Sequence, residues 1–198
     1  MYKQPVLEHQ RWLIRHGESA ANAGAVTDNP AAIPLTDTGT GQARSIAVSV
    51  PRRPDLIVVS PYLRTRQTAE PTMARFPDVP VETWPVQEFT YLSPNRCVGT
   101  TAAQRRPLVE EYWQRCDPAY VDGPGAEAFS ALLERVRLMR HRLSEAAVGF
   151  VLVFTHGQVM QAFRQLGAFP HKDDQALMAG FLAADQEAPI RNGDIRQV

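Results

Sequence analysis

Lysine is nearly missing from this 198-residue chain: of 21 Lys and Arg residues, only Lys3 and Lys172 are lysines. The arginine bias by itself assigns no function. Asp and Glu also number 21, so no field of one sign covers the molecule. That balance gives no ground for nucleic acid or a membrane surface as partner. Cysteine is scarce as well. Cys97 and Cys116 are too few for a disulfide framework and are expected to be reduced thiols. No apolar run reaches the ~18 residues a membrane span needs. The N-terminal stretch MYKQPVLEHQRW lacks the apolar centre of a signal peptide, so a cytoplasmic location is expected. Repeats and low-complexity tracts are also missing. The five histidines, His9, His16, His141, His156 and His171, show no metal-ligand spacing. No cofactor and no metal are expected, and the sequence assigns no oligomeric state.

What is present is an ordinary globular composition, 44 % hydrophobic and 21 % charged, in a length that suits one domain with a sizeable core. Strand-like and helix-like segments alternate. Residues 12–14 read as a short strand. DLIVVS (55–60) lies between Pro54 and Pro61, and FVLVFTH (150–156) has the same continuous apolar character. Both therefore read as strands buried on two faces. VPVETW (79–84) is a weaker strand, and the terminal DIRQV an edge strand. Helices are expected after a cap at Thr36 or Thr38 and ending at Pro51, over 62–75, over 126–147 and over 157–167. In the third of these, Phe129, Leu132, Leu133, Val136 and Met139 or Arg140 follow helical spacing. The alternation predicts an α/β fold with a mostly parallel central sheet. Residues 90–125, rich in Pro, Gly and polar residues, read as a lid or small insertion within a single domain spanning 1–198.

The chemistry concentrates at strand ends. His16 follows the first strand in RHG, and His156 ends another in THG. Ligands of open α/β sheets bind beyond the carboxyl ends of strands. A glycine there lets backbone approach an anion, and a helix beginning just afterwards offers free N–H groups. The strand at 55–60 runs into SPYLRTRQTAE, which delivers Arg64 or Arg66 to the same edge. Two histidines with Arg15 and one of these arginines describe a phosphate pocket. Arginines beside histidines also repel a divalent cation.

LIRHGESAANAG resembles the signature of the histidine phosphatase superfamily, the phosphoglycerate-mutase-like proteins of branch 1. PLTDTGTGQARSIA, VVSPYLRTRQTAE, PGAEAFSALLERV and VFTHGQVMQAF are similar to further segments of that family, in the family's order. The resemblance implies a three-layer α/β/α fold and a metal-independent phosphatase. It implies His16 as nucleophile, with Arg15, Arg64, His156, Asn22 and the backbone of Gly157 holding phosphate. Arg64 is preferred to Arg66 by its distance from Ser60-Pro61 and Gln67-Thr68-Ala69. Glu88 matches the proton-donor position, with Glu82 as rival. Ala126 and Ala128 stand where the family usually has Gly and Ser.

These roles suit elementary chemistry. A free imidazole titrates near ~6.5, so a neutral nucleophile is accessible at pH 7. Phosphoryl transfer depends mainly on positioning and charge stabilisation, which forked guanidinium donors supply. An alkoxide leaving group needs a protonated carboxyl, and a nearby dianion would raise Glu88 to provide one. The expected activity is hydrolysis of a phosphomonoester through phosphohistidine. The substrate is expected to be a small-molecule phosphate ester; a phosphoprotein also fits. Two alternatives stand beside it. One is a phosphoglycerate-type mutase, which needs a second anion site; between Gly17 and Ala43 there is no Lys or Arg, although Arg96, Arg105 and Arg106 are candidates. The other is a catalytically weak member that binds phospho-ligands. Phe89, Tyr91, Leu92 and Trp113 are candidates for an apolar substrate wall or for core.

Overall fold

The computed structural model describes residues 10–146 and 149–198. Its strands, β1 (Gln10–Arg15), β2 (Leu56–Val59), β3 (Val81–Thr83), β4 (Phe150–Thr155) and β5 (Ile195–Gln197), form one sheet in the order β3-β2-β4-β1-β5. All pairings are parallel except β5, which runs antiparallel to β1 at the edge. The expected strands are all present: β1 is longer than the expected 12–14, and the others are shorter by one to three residues. The N-terminal stretch 1–9, His9 included, and Ala147, the expected last residue of a helix, lie outside the described residues.

The sheet is covered on both faces, which is why β2 and β4 are buried at every position and apolar at all but Thr155. Side chains alternate between the faces. On one face, Phe150, Leu152 and Phe154 join Ile57, Val59, Trp12 and Ile14 in a cluster that includes Ile46 and Ala69. Those last two come from α1 (Asp37–Ser49) and α2 (Leu63–Arg75). On the other face, Val151 and Val153 meet Leu133, Val136, Val159 and Phe163, from α5 (Phe129–Glu145) and α6 (Gly157–Ala168). The layers are therefore α/β/α.

α1 is capped by Thr36, whose hydroxyl accepts from the Gly39 N–H at 3.1 Å. α5 begins at Phe129, three residues later than the sequence pattern suggests. Its N-cap is Ala128, which has no side-chain oxygen to cap the first turn. Met139 is buried on the inner face while Arg140 is half-buried.

Segment 90–125 carries α3 (Pro94–Cys97) and α4 (Arg106–Arg115). It packs on the main core: Trp113 stacks on Phe181 with centroids 5.4 Å apart, and Tyr112 is buried beside Phe89. Phe181 belongs to α7 (Asp174–Glu187), a helix the sequence reading did not assign. Its signal was present in the Asp173 cap, which accepts from Ala176 N–H at 2.8 Å, and in Leu177, Met178 and Phe181. Among the described residues no helix is long and apolar enough to cross a membrane.

Candidate active site

β4 lies between β1 and β2, so the three chain segments that follow these strands meet at one edge. The register sets Arg15 beside Thr155, and His16 N–H donates to the Thr155 carbonyl at 3.0 Å. His16 and His156 are thereby brought to the same height. Gly17 and Gly39 let this loop seat on the start of α1. A Cβ on Gly17 would sit 2.5 Å from the Gly39 carbonyl oxygen, and one on Gly39 only 2.0 Å from that of Glu18.

Arg64, from the first turn of α2, joins the two imidazoles. Its Nε donates to His16 Nε2 at 3.1 Å and its Nη2 to His156 Nδ1 at 3.2 Å. Both contacts present a ring nitrogen as acceptor, so both rings are neutral at those atoms. The remaining nitrogens agree. His16 Nδ1 donates to its neighbour's carbonyl, Gly17 O, at 2.7 Å. His156 Nε2 lies 2.9 Å from Ser60 Oγ and donates to it. Burial is the largest influence on each ring. With Arg64 next, it holds His16 down to about 3 and His156 well below its ordinary range.

Arg15 binds through Nη1 to the Ile190 carbonyl, while its buried Nε–H has no protein partner. That unsatisfied donor, aimed from beside the His16 loop, is what an anion would complete. Gly157 opens α6 directly after His156. A Cβ there would stand 3.4 Å from the Arg15 guanidinium. Glu88 is half-buried on the opposite wall. One carboxyl oxygen accepts from Phe89 N–H at 3.1 Å and Gln158 N–H at 3.3 Å. Loss of hydration raises its pKa, against the pull of Arg64 and Arg15. Asn22 accepts at Oδ1 from Ser19 and from Asn192 Nδ2, which leaves its own amide N–H groups for a ligand.

Arg15, Asn22, Arg64, Glu88 and Gly157 line one cavity of about 500 Å3; His16 and His156 are buried and do not line it themselves, but both bond to Arg64, which does. The sequence candidates divide accordingly. Arg66 is exposed and outside the cavity. Glu82 is also exposed, taking a hydrogen bond from Trp84 Nε1 and lying near Arg142. Arg96 pairs with Asp122, and Arg106 sits on the surface 3.8 Å from Glu110. Of the three arginines weighed for a second anion site, Arg105 alone reaches the cavity. Phe89, Tyr91 and Leu92 line it, whereas Trp113 is core, held between Phe129 and Phe181.

Several supports were missed by sequence reading. Ser60 orients His156, and Thr68 Oγ1 accepts from Gly17 N–H at 3.0 Å. Asn192, far along the chain, donates to the His16 carbonyl at 3.1 Å. Ser60 and Thr68 lay inside the quoted motifs; nothing local marks Asn192.

The fold is that of a three-layer α/β/α protein with Arg15 and Arg64 lining a pocket at the strand ends and two buried histidines bonded to Arg64. The sequence matches the histidine phosphatase superfamily (branch 1) over residues 11–173, and the chain belongs to that family. It is 30 % identical over 130 residues to the adenosylcobalamin/alpha-ribazole phosphatase of Salmonella typhimurium. That match spans 63 % of this chain and 63 % of the relative's length. Its fold is similar to the alpha-ribazole phosphatase of Shigella flexneri, with TM-score 0.71 and 23 % identity over 95 % of this chain and 89 % of that one. A mycobacterial glucosyl-3-phosphoglycerate phosphatase has TM-score 0.70 and 22 % identity over 96 % of this chain and 89 % of its own.

Proposed function

We propose that this chain is a metal-independent phosphatase that hydrolyses phosphomonoesters through a phosphohistidine on His16. The observation that carries the reading is the pair of bonds at His16. Nδ1–H is tied to the Gly17 carbonyl, and the Nε2 lone pair faces the cavity side, held only by Arg64. The imidazole is thus fixed in the tautomer a nucleophile needs.

In this reading the phosphate takes the N–H groups of Arg64 and the unpartnered Nε–H of Arg15, which releases the His16 lone pair. Asn22, His156 and the Gly157 N–H complete the cradle. His156 offers a lone pair at Nδ1 in the ligand-free arrangement. To donate there it takes up a proton, which the incoming dianion favours. Nε2 of His16 then attacks phosphorus and the P–O ester bond breaks, its electron pair leaving with the alcohol oxygen. Protonated Glu88 gives that oxygen its proton. In the second half, the Glu88 carboxylate takes a proton from water as the water attacks phosphorus. The P–N bond breaks and its electron pair returns to Nε2. Arg15, His16, Arg64, Glu88 and His156 are the catalytic set; Arg15, His16, Asn22, Arg64, His156 and Gly157 contact phosphate.

The paired or exposed positions of Arg96 and Arg106 favour a phosphatase over a mutase. The relatives' names carry different substrates, so the alcohol is read from the cavity walls and not from the fold. A single domain and a cytoplasmic location belong to the same proposal.

The test is His16→Ala together with trapping. The wild type should yield acid-labile phosphoenzyme after rapid quenching, and the variant should lose turnover of p-nitrophenyl phosphate. Near-normal rates in His16→Ala would refute the reading.

A further inference from the structure

Beyond the phosphate pole, the cavity is far larger than a phosphate requires. Its volume of about 500 Å3 lies in the ~300–1,000 Å3 range of sites that enclose a drug-sized molecule. The outer walls carry a set of apolar side chains: Ile33 from the loop after β1, Tyr91 and Leu92 from the start of the lid segment, Val109 from α4, and Ile190 after α7. Leu92 and Ile190 are buried and rigidly placed, while Tyr91 tilts against Phe89 at 5.3 Å. Two contacts roof this space. Thr27 pairs with Thr100, and Asp28 Oδ1 accepts from Gly99 N–H at 3.2 Å, joining the loop after β1 to the lid segment.

The charges of the outer part select against a second anion. Arg105, Asp28 and Asp185 are its charged lining residues, one cation against two carboxylates. Arg105 is moreover engaged. Its Nη1 donates to the Thr100 carbonyl at 2.8 Å and to Thr100 Oγ1 at 3.0 Å. A carboxylate or second phosphate on the alcohol would meet one guanidinium, bonded through Nη1 to Thr100, against two like charges. An uncharged apolar group would meet Ile33, Tyr91, Leu92, Val109 and Ile190 and shed water against them.

From this we infer the substrate class: a phosphomonoester of an uncharged, bulky and partly apolar alcohol, with compact sugar acids and amino-acid phosphates disfavoured. The inference rests on the phosphatase reading for its catalytic half only. A pocket's preference for one ester over another is also a property of binding.

The experiment therefore has two arms. The first compares kcat/KM for 2-(1-naphthyl)ethyl phosphate with that for 3-phosphoglycerate, both having alkyl leaving groups of similar basicity. The expected ratio is at least about tenfold, the lower end of what a single methylene earns in an apolar pocket. Ile33→Asp should shrink this ratio; Ile33 belongs to neither core cluster, so the variant should fold. The second arm measures Kd of the same two esters for His16→Ala by calorimetry. Tighter binding of the naphthyl ester upholds the inference. Equal or reversed preference in kcat/KM or in Kd overturns it. Absence of turnover of every ester, with the naphthyl preference intact in Kd, refutes the phosphatase reading and leaves the pocket assignment standing.

Discussion

His16 and His156 stand edge to face with ring centroids 5.0 Å apart, and Arg64 donates to a nitrogen of each. One guanidinium thus bridges both imidazoles and, after burial, is the next influence that keeps them neutral. The Tyr62 ring packs beneath it, 4.9 Å from its central carbon. Arg64→Lys keeps a charge but cannot make both bonds. We expect kcat to fall by about 10²–10³, the usual loss of a donor to a transition-state oxyanion. Steady-state kinetics on p-nitrophenyl phosphate checks this, and a loss below threefold would contradict the bridging role.

Glu88→Gln separates proton donation from binding. An alkyl phosphate, whose leaving group needs the proton, should lose about 10²-fold or more in kcat. Nitrophenyl phosphate should lose far less. Equal losses on both esters would assign the proton to another group.

The two sets of perturbed groups act on stability in opposite directions with pH. Glu88 is raised, so on going up through the ordinary glutamate range near ~4.3 the unfolded chain loses a proton that the folded one keeps. Stability contributed by Glu88 declines with rising pH, and Glu88→Gln should gain in Tm relative to wild type between pH 4 and 8. His16 is held down to about 3, mainly by burial. Between ~6.5 and 3 the unfolded chain binds a proton that the folded one refuses, so stability falls as pH falls through that window. Thermal melts across pH 4–8 should show a shallower acid limb in His16→Ala.

For catalysis, the depressed His16 value keeps the nucleophile neutral well below pH 6.5. After correction for ionisation of the ester, near ~6, kcat/KM should show no acid limb from His16 between pH 5 and 7. Its decline should come on the alkaline side as Glu88 loses its proton. An acid limb at ~6.5 on nitrophenyl phosphate that persists in Glu88→Gln would mean that the imidazole is not desolvated as described.

Gly39→Ala tests the seating of the His16 loop. A Cβ 2.0 Å from the Glu18 carbonyl oxygen forces backbone to move. Overpacking of this kind costs about 2 kcal/mol or more, or about 4 °C in Tm for a chain of this size. A melting temperature within 1 °C of wild type would show that the loop gives way freely.

Chelation should leave the rate unchanged. Among the described residues no three His, Cys, Asp or Glu side chains converge as a ligand set, and three arginines, Arg15, Arg64 and Arg105, line the pocket. Strong inhibition by EDTA, reversed by a divalent metal, would contradict the proposed chemistry.

Much of the architecture was legible because it is written in neighbouring residues. Continuous apolar runs at 56–59 and 150–155 could satisfy burial on two faces only inside a covered sheet, and RHG and THG stood at the ends of strands. The C-terminal edge strand and the capped α1 were equally local, while the antiparallel direction of that strand against β1 was not. α7 was not assigned, with Gly180 in its middle and scattered alanines leaving only Leu177, Met178 and Phe181 buried. Trp113 was ambiguous between wall and core until Phe181 was seen stacked on it.

By itself the sequence determined the α/β alternation, the strand-end positions of His16, Arg15 and His156, and the choice of Arg64 once its motif was recognised, for each depends on residues within a turn or two of one another. Only the tertiary structure decided that Arg64 lies between the two imidazoles, that Asn192 braces the His16 loop across nearly the whole chain, and that Arg105 enters the cavity while Arg96 and Arg106 do not. Those relations arise when loops distant in sequence close over a common sheet edge. Their partners are selected by burial and geometry, which no local pattern encodes.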